Sequence, residues 1–179
     1  MADGGTFKGS PQVTLLPDGR KLKLIAAFAF TDAGGLVWTT PKDWTVDGAS
    51  IPQAFWSVIG GPLEGLWRDA SVIHDYYCDA KSRTWQATHK VFYDGMIARG
   101  VETAEAKTMN YAVYKFGPRW VLAKPVAQAV AAEVKAIQIT PARPATKAEA
   151  QAVAAYISSA DPTLKQIEAL ADAPKFKPA

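Results

Sequence analysis

The chain changes its periodicity within residues 36–59, LVWTTPKDWTVDGASIPQAFWSVI. The first part, Leu36–Thr39, is rich in β-branched and aromatic side chains, which favours a strand. Ser50 is followed by Gln three residues later, with Pro52 between them, a pattern typical of a helix N-terminus capped by serine. We therefore predict a strand that gives way to a short helix, with Ser50 as its N-cap and its end near Ile59.

The residues before this segment alternate as strands do. Apolar side chains occupy every second position of Leu22–Phe30, which is the period of a half-buried strand. Val13–Leu16 precedes it across a Pro-Asp-Gly turn at 17–20, and a second turn at 31–35 leads into the next strand. These signals predict an antiparallel β-meander whose one face is covered by the rest of the chain.

Helical periodicity dominates after residue 60. Apolar residues recur at three- and four-residue spacing over about 64–80, from a Ser82 or Thr84 cap to about Arg99, and over about 104–116. Strands followed by a run of helices are typical of the α+β class. We predict an N-terminal antiparallel β-meander packed against a helical layer.

The C-terminal third differs in composition. Only two of the 19 aromatic residues lie beyond residue 120, whereas residues 123–179 contain 18 Ala. Because aromatic side chains supply much of a small core, we predict a compact domain over 7–120 and an Ala-rich helical appendage over 121–179. Helical segments are expected at about 120–137, after a capping box at Thr146, and from Asp161-Pro162 onward.

Composition excludes several classes of protein. The chain is 49% apolar and 21% charged, with a net charge of +3 and one cysteine. It is too apolar to be disordered, and one cysteine forms neither a disulfide framework nor a CxxC zinc ribbon. There is no Lys/Arg-rich run, so no clear signal for nucleic acid. We expect no secretory signal and no membrane span, since the longest apolar run is Leu24–Phe30.

The two histidines form the first candidate site. In two antiparallel helices joined by a turn near 81–83, facing residues have numbers that sum to about 163, as those of His74 and His89 do. Both lie in apolar stripes, so we expect both rings in one helix–helix seam. They could bind a divalent metal such as zinc, with Asp47 or Asp75 as a carboxylate ligand. Alternatively, His74 is a general base oriented by a carboxylate, or the pair is a buried structural one.

Other residues near the histidines have two interpretations each. Asp47 lies in a loop entering the helical layer and could reach a site, although Asp-Gly also marks a turn. Cys78 lies one helical turn beyond His74 and could face the same seam, although a lone cysteine is more often a small buried apolar residue. The candidate catalytic residues are His74, Asp75 and Asp47, and the candidate metal ligands are His74, His89 and Asp47.

These residues also carry a family resemblance. Thr40–Pro52, Trp56, Gly60, Pro62, Ala70 and Ile73–Tyr76 resemble a family known as domain of unknown function 1353, found in phages, prophages and bacteria. The resemblance covers about residues 36–101. It implies a compact α+β domain and a phage-linked setting, with no established activity to transfer. The family usually carries Asp where His89 stands, so a two-imidazole site would be particular to this chain.

Three functions are compatible with the sequence. The first is a phage- or prophage-type accessory hydrolase of host cell-envelope material, whose substrate is inferred from the phage setting alone. The second is a non-enzymatic virion structural or assembly protein whose helical tail binds neighbouring subunits, and the third is an inhibitor of a host factor. The expected partners are an envelope component or other phage proteins, with a homo-oligomer as one possible state. The expected location is the host cytoplasm or the virion.

Overall fold

A computed structural model describes residues 4–19, 21–48, 51–60, 65–122, 136–174 and 176. Strands precede most of the helices, and the α+β class is confirmed. The predicted N-cap Ser50 and the family position Pro62 lie outside the described residues, as does most of the predicted helix at about 120–137.

The N-terminal strands form two small antiparallel sheets rather than one meander. Their order is β1-β4-β5 in the first sheet and β2-β3-β6 in the second. The bounds are β1 Thr6–Phe7, β2 Val13–Leu15, β3 Leu22–Leu24, β4 Phe28–Thr31, β5 Val37–Thr40 and β6 Thr45–Val46. The predicted single strand over 22–30 is therefore wrong, because its two halves pair with different strands and the chain bends at Ile25 and Ala26.

The predicted alternation nevertheless identifies the buried face of both halves. Leu24, Phe28 and Phe30 are all buried, and they pack with Val72 and Ile73 of the first long helix. Since side chains of alternate strand residues share a face, the bend preserves the facing pattern that the sequence predicted. The two sheets consequently contribute to one apolar layer beneath that helix.

Six helices are described, and most of their bounds follow the predicted ones. They are α1 Gln53–Ile59, α2 Arg68–Ala80, α3 Trp85–Ala98, α4 Thr103–Phe116, α5 Lys147–Ala160 and α6 Leu164–Asp172. None of the described helices is long and apolar enough to cross a membrane.

Threonine side chains cap three of the helices. Thr84 accepts a hydrogen bond from the third residue of α3, and Thr146 does the same for α5, as predicted. Thr163 forms a reciprocal capping box at α6, so that helix begins two residues later than predicted from Asp161-Pro162. The N-cap position of α1 is Pro52, without a side-chain cap, two residues later than the predicted Ser50 cap.

The predicted helix over about 120–137 is wrong at both ends. Arg119–Leu122 is a strand, β7, and it pairs antiparallel with β8, Ala136–Thr140. The sequence of these two segments contains Trp120, Val121, Ile137 and Ile139, residue types that suit a strand better than a helix. The Ala-rich composition of the surrounding tail concealed this local preference.

Helix α4 lies at the centre of the helical layer. Every residue from Ala106 to Phe116 is buried, which is typical of a helix packed on all sides. Helices α5 and α6 pack against α4, and Ile157 and Ile167 belong to the same core as Met109. The division into a domain over 7–120 and an appendage over 121–179 stays a prediction, but this shared core leads us to expect that residues 7–120 alone would expose much apolar surface.

Candidate functional site

The two histidines meet in the seam between α2 and α3. His74 Nε2 lies 2.9 Å from His89 Nδ1, and both side chains are fully buried. The antiparallel register predicted from their numbers is therefore confirmed. His74 also packs against Phe92, with ring centroids 4.9 Å apart, so the pair sits within an apolar layer.

The surroundings fix the proton positions on both rings. His89 Nε2 lies 3.2 Å from the carbonyl oxygen of Pro118, which can only accept a hydrogen bond, so Nε2 of the neutral ring carries the proton. His89 Nδ1 then has a free lone pair, and His74 Nε2–H donates to it. Gly117 leaves room for this arrangement, because a Cβ there would lie 3.0 Å from His89 Cε1 and 2.3 Å from the Val113 carbonyl oxygen.

Cys78 is the third member of the group. Its Sγ lies 3.8 Å from His74 Nδ1 and 3.6 Å from His74 Nε2. Because His74 Nε2 carries a proton, Nδ1 is the acceptor for the thiol. The result is a continuous chain of hydrogen bonds that runs from the Cys78 thiol through His74 and His89 to the carbonyl oxygen of Pro118.

Burial keeps all three side chains neutral. It lowers the pKa of His74 well below its usual value, and the charge of His89 contributes to this shift. Burial also lowers the pKa of His89 to about 3. It raises the pKa of the Cys78 thiol. Without a cation, the group is therefore a chain of neutral hydrogen bonds at pH 7.

The same three residues could hold a metal ion. One ligand atom from each of His74, Cys78 and His89 lies within 4.8 Å of the others. Imidazole and thiolate together suit zinc and other late transition metals. His89 would bind through Nδ1, since its Nε2–H is already oriented by a backbone carbonyl, as metal-ligating histidines commonly are.

The predicted carboxylates lie on another side of α2. Asp75 Oδ2 accepts a hydrogen bond of 3.0 Å from the backbone N–H of Asp47, and the N–H of Gly48 also donates to Asp75. Burial, together with the nearby charge of Asp47, raises the pKa of Asp75 to about 8. The Asp47 side chain itself is exposed. The two residues thus meet through the Asp47 backbone.

The structure brings together a different set from the predicted metal ligands. Among the described residues, the group with metal-ligand spacing contains Cys78 and not Asp47. The signal for Cys78 is its spacing of four residues from His74, which places both on one helix face. No sequence signal identified the carbonyl of Pro118. The catalytic and metal-binding roles of His74, His89, Asp75 and Asp47 stay predictions.

Fold and site together define an α+β protein with a buried His–Cys–His group between two antiparallel helices. The family described as "Protein of unknown function (DUF1353)" matches residues 22–113, just over half of the chain. The chain belongs to this family. The matched segment contains β3 to β6, α1 to α3 and most of α4, and with them both histidines and Cys78.

Two curated relatives are similar to this chain, and both come from Sinorhizobium fredii (strain NBRC 101917 / NGR234). The uncharacterized protein y4jT is 52% identical over 120 residues, which is 66% of this chain and 36% of the relative. The uncharacterized protein y4iH is 46% identical over 119 residues, 66% of this chain and 50% of the relative. The chain thus spans half or less of their lengths. No solved structure gives a significant match.

Proposed function

We propose that this protein binds a zinc-like cation through His74, Cys78 and His89 and is a phage- or prophage-type accessory hydrolase of host cell-envelope material. The observation that supports the cation site is the spacing of the three donor atoms. A tetrahedral zinc ion places two imidazole nitrogens about 3.3 Å apart, and a nitrogen and a sulfur about 3.6 Å apart. The corresponding distances here are 2.9 Å between the imidazole nitrogens and 3.6 Å from Cys78 Sγ to His74 Nε2.

The number of ligands supports a hydrolytic role over a purely structural one. Structural zinc sites usually have four protein ligands, whereas catalytic sites have three and leave a position for water. Three donors are grouped here among the described residues. A cation in such a site supplies a water molecule that is acidic enough to act as a nucleophile near neutral pH.

Asp75 and Asp47 have separate roles in this proposal. Asp75 holds the backbone of the loop after β6 by accepting from Asp47 and Gly48, and it is a positioning residue. The exposed carboxylate of Asp47 is the group in this loop that can meet a substrate, so we assign it the role of binding and orienting the substrate. His74 is then a ligand and not the base, because its Nε2 lone pair is required by the cation.

Metal content of the purified full chain tests the site. We expect about one zinc per chain by mass spectrometry after expression without a chelator. His74→Gln and Cys78→Ala should each lose most of the metal, whereas Asp47→Asn should retain it, because the Asp47 carboxylate is outside the group. A native chain free of metal, or an Asp47→Asn variant that loses as much metal as Cys78→Ala, would contradict the proposed ligand set.

Activity is tested separately from metal binding. Purified peptidoglycan and outer-membrane polysaccharide would be incubated with the native chain, with and without a chelator, and the released fragments quantified. We expect chelator-sensitive release that falls by about a hundredfold in Asp47→Asn, because the substrate is no longer positioned. If a metal-loaded native chain releases no fragments, the proposed hydrolysis of envelope material is wrong, whereas the proposed metal site is unaffected.

A second candidate is a non-enzymatic virion or assembly protein, located in the virion or the host cytoplasm. The observation that favours it is burial: His74 and His89 are 0% exposed and Cys78 is 5% exposed, and their hydrogen bonds are satisfied without a metal. In that case the purified chain is metal-free and forms a homo-oligomer or binds other phage proteins. Light scattering on the same metal-analysed sample distinguishes the two candidates.

An inhibitor of a host factor is the third proposal. It also predicts a metal-free chain, but one that is monomeric in the same light-scattering measurement.

A further inference from the structure

Three surface cavities share Arg143 in their linings, and two of them lie at the C-terminal end of α4. Their volumes are about 270, 420 and 380 Å³, and Arg143 lines all three. Lys115 lines the first and the third. The described tail residues therefore do more than cover the core, since they form a concave surface around two fixed cations.

The 270 Å³ cavity has an excess of positive charge. Its lining contains the cations of Lys115, Arg119 and Arg143 and one carboxylate, that of Asp172. Asp172 is engaged by Arg119 at 3.0 Å. Positive charges that converge on one concavity raise the local concentration of anions.

Arg143 is held in place before any ligand arrives. Its backbone N–H donates to the carbonyl oxygen of Phe116 at 2.7 Å, and its guanidinium donates to that of Lys115 at 2.7 Å. Among the residues that the structure describes, no carboxylate lies within ion-pair distance of this guanidinium. A guanidinium has five N–H donors, so most of the donors of Arg143 remain available to an oxyanion.

Lys115 contributes charge from a buried position. Its side chain is 7% exposed, and its ammonium donates to the Ala173 carbonyl oxygen at 3.0 Å. Glu149 lies 3.6 Å away and compensates part of this charge. Since a buried ammonium stabilises any anion that approaches it more strongly than an exposed one does, Lys115 favours an anion at the mouth of the cavity.

The neighbouring cavity of about 380 Å³ gives the site an apolar side. Phe116, Pro174 and Phe176 line it together with Lys115, Arg143 and Glu149, the carboxylate that already lies beside Lys115. The two cavities share these cations, so a ligand whose anionic group meets Lys115 and Arg143 can place an apolar body against the two phenylalanines.

We propose that this surface binds a small ligand that carries a phosphate or carboxylate group on an aromatic or apolar body. Arg143 and Lys115 bind the oxyanion, and the cavity lined by Phe116 and Phe176 accepts the body. Asp172 lies at the edge of the anion cavity and weakens the binding. The site shares no residue with the His–Cys–His group, so it stands independently of the proposed hydrolase.

Calorimetric titration of the full chain at constant ionic strength tests the proposal, with inorganic phosphate, phenyl phosphate and benzoate as probes. We expect saturable binding, with phenyl phosphate bound about tenfold more tightly than inorganic phosphate because its ring is buried. Comparison with benzoate distinguishes a phosphate ligand from a carboxylate ligand.

Variants give the proposal its sharpest tests. Arg143→Gln should weaken phenyl phosphate binding about tenfold, whereas Lys165→Gln, an exposed cation of α6 outside the cavities, should not change it. Asp172→Asn should tighten binding, an effect that a misfolded variant cannot produce. Absence of saturable binding to the native chain, or native affinity in Arg143→Gln together with no gain in Asp172→Asn, would overturn the proposal.

Discussion

Acidification should destabilise the metal-free chain through its two buried histidines. Burial lowers the pKa of His89 from 6.5 to about 3 and that of His74 well below 6.5. Below pH 6.5 the unfolded chain therefore binds protons that the folded chain does not. The contribution of the two neutral histidines to stability is fully present above pH 6.5 and falls as the pH drops toward the folded-state pKa values. For His89 the loss is about 1.4 kcal/mol per pH unit below 6.5, so that at pH 5 it is about 2 kcal/mol, and protonation of the buried His74 is unfavourable in the same direction.

Urea unfolding at pH 7.5 and pH 5 measures this loss, with a chelator present throughout. Carboxylates also titrate in this range. Each variant is therefore compared with the native chain across the same pH change, so that the contributions of the titrating groups that both chains contain cancel. His89→Gln should lose about 2 kcal/mol less than the native chain does. Thr88→Val removes a buried neighbouring hydroxyl without a hydrogen-bond partner and should keep the native pH dependence. If His89→Gln loses as much stability as the native chain, the buried neutral pair is refuted.

Two further predictions concern other parts of the molecule. The pKa of Asp75 is raised from 3.8 to about 8, so its contribution to stability is present below pH 3.8 and is lost as the pH rises toward 8. Between pH 7.5 and pH 5 the native chain therefore regains stability at Asp75, which Asp75→Asn cannot do. In the same urea experiment this variant should lose about 3 kcal/mol more than the native chain. Ile157 is 2% exposed in the core shared with α4, and Ile157→Ala should lower the free energy of unfolding by about 2–5 kcal/mol. A cost below about 1 kcal/mol would favour the separate appendage predicted over 121–179.

Local periodicity predicted most of the elements because it reports directly on burial. The helix bounds near Thr84, Phe116 and Thr146 follow from cap residues and glycine, which act within one turn of the chain. Strand partners were not predictable in the same way. The alternation of Leu22–Phe30 identifies a buried face but contains no information on which strand lies alongside, and the pairing of β7 with β8 depends on contacts between segments separated in sequence.

The candidate site was predictable where it depends on one helical hairpin. A short turn fixes the register of two antiparallel helices, so the meeting of His74 and His89 followed from their numbers alone. Pro118 comes from beyond α4, and its carbonyl reaches His89 through the packing of α4 on α3, which no local pattern encodes. Asp47 was predicted as a ligand because its type suits metals, but its place is set by how the loop after β6 meets α2.

The adjacent residues His74 and Asp75 connect α2 to two different parts of the molecule. Neighbouring residues on a helix point about 100° apart, so the imidazole enters the seam with α3 while the carboxyl meets the loop after β6. Gly48 in that loop is buried and has a φ of +104°, a conformation that favours glycine and presents its N–H to Asp75. The Asp-Gly and His-Asp pairs therefore contact each other through Asp75 and the loop backbone. Helix α2 thus binds the loop after β6 through Asp75 and contacts α3 through His74. Asp75→Asn should consequently loosen the loop that carries Asp47 while leaving the two imidazoles in contact, which separates the positioning of that loop from the integrity of the His–Cys–His group.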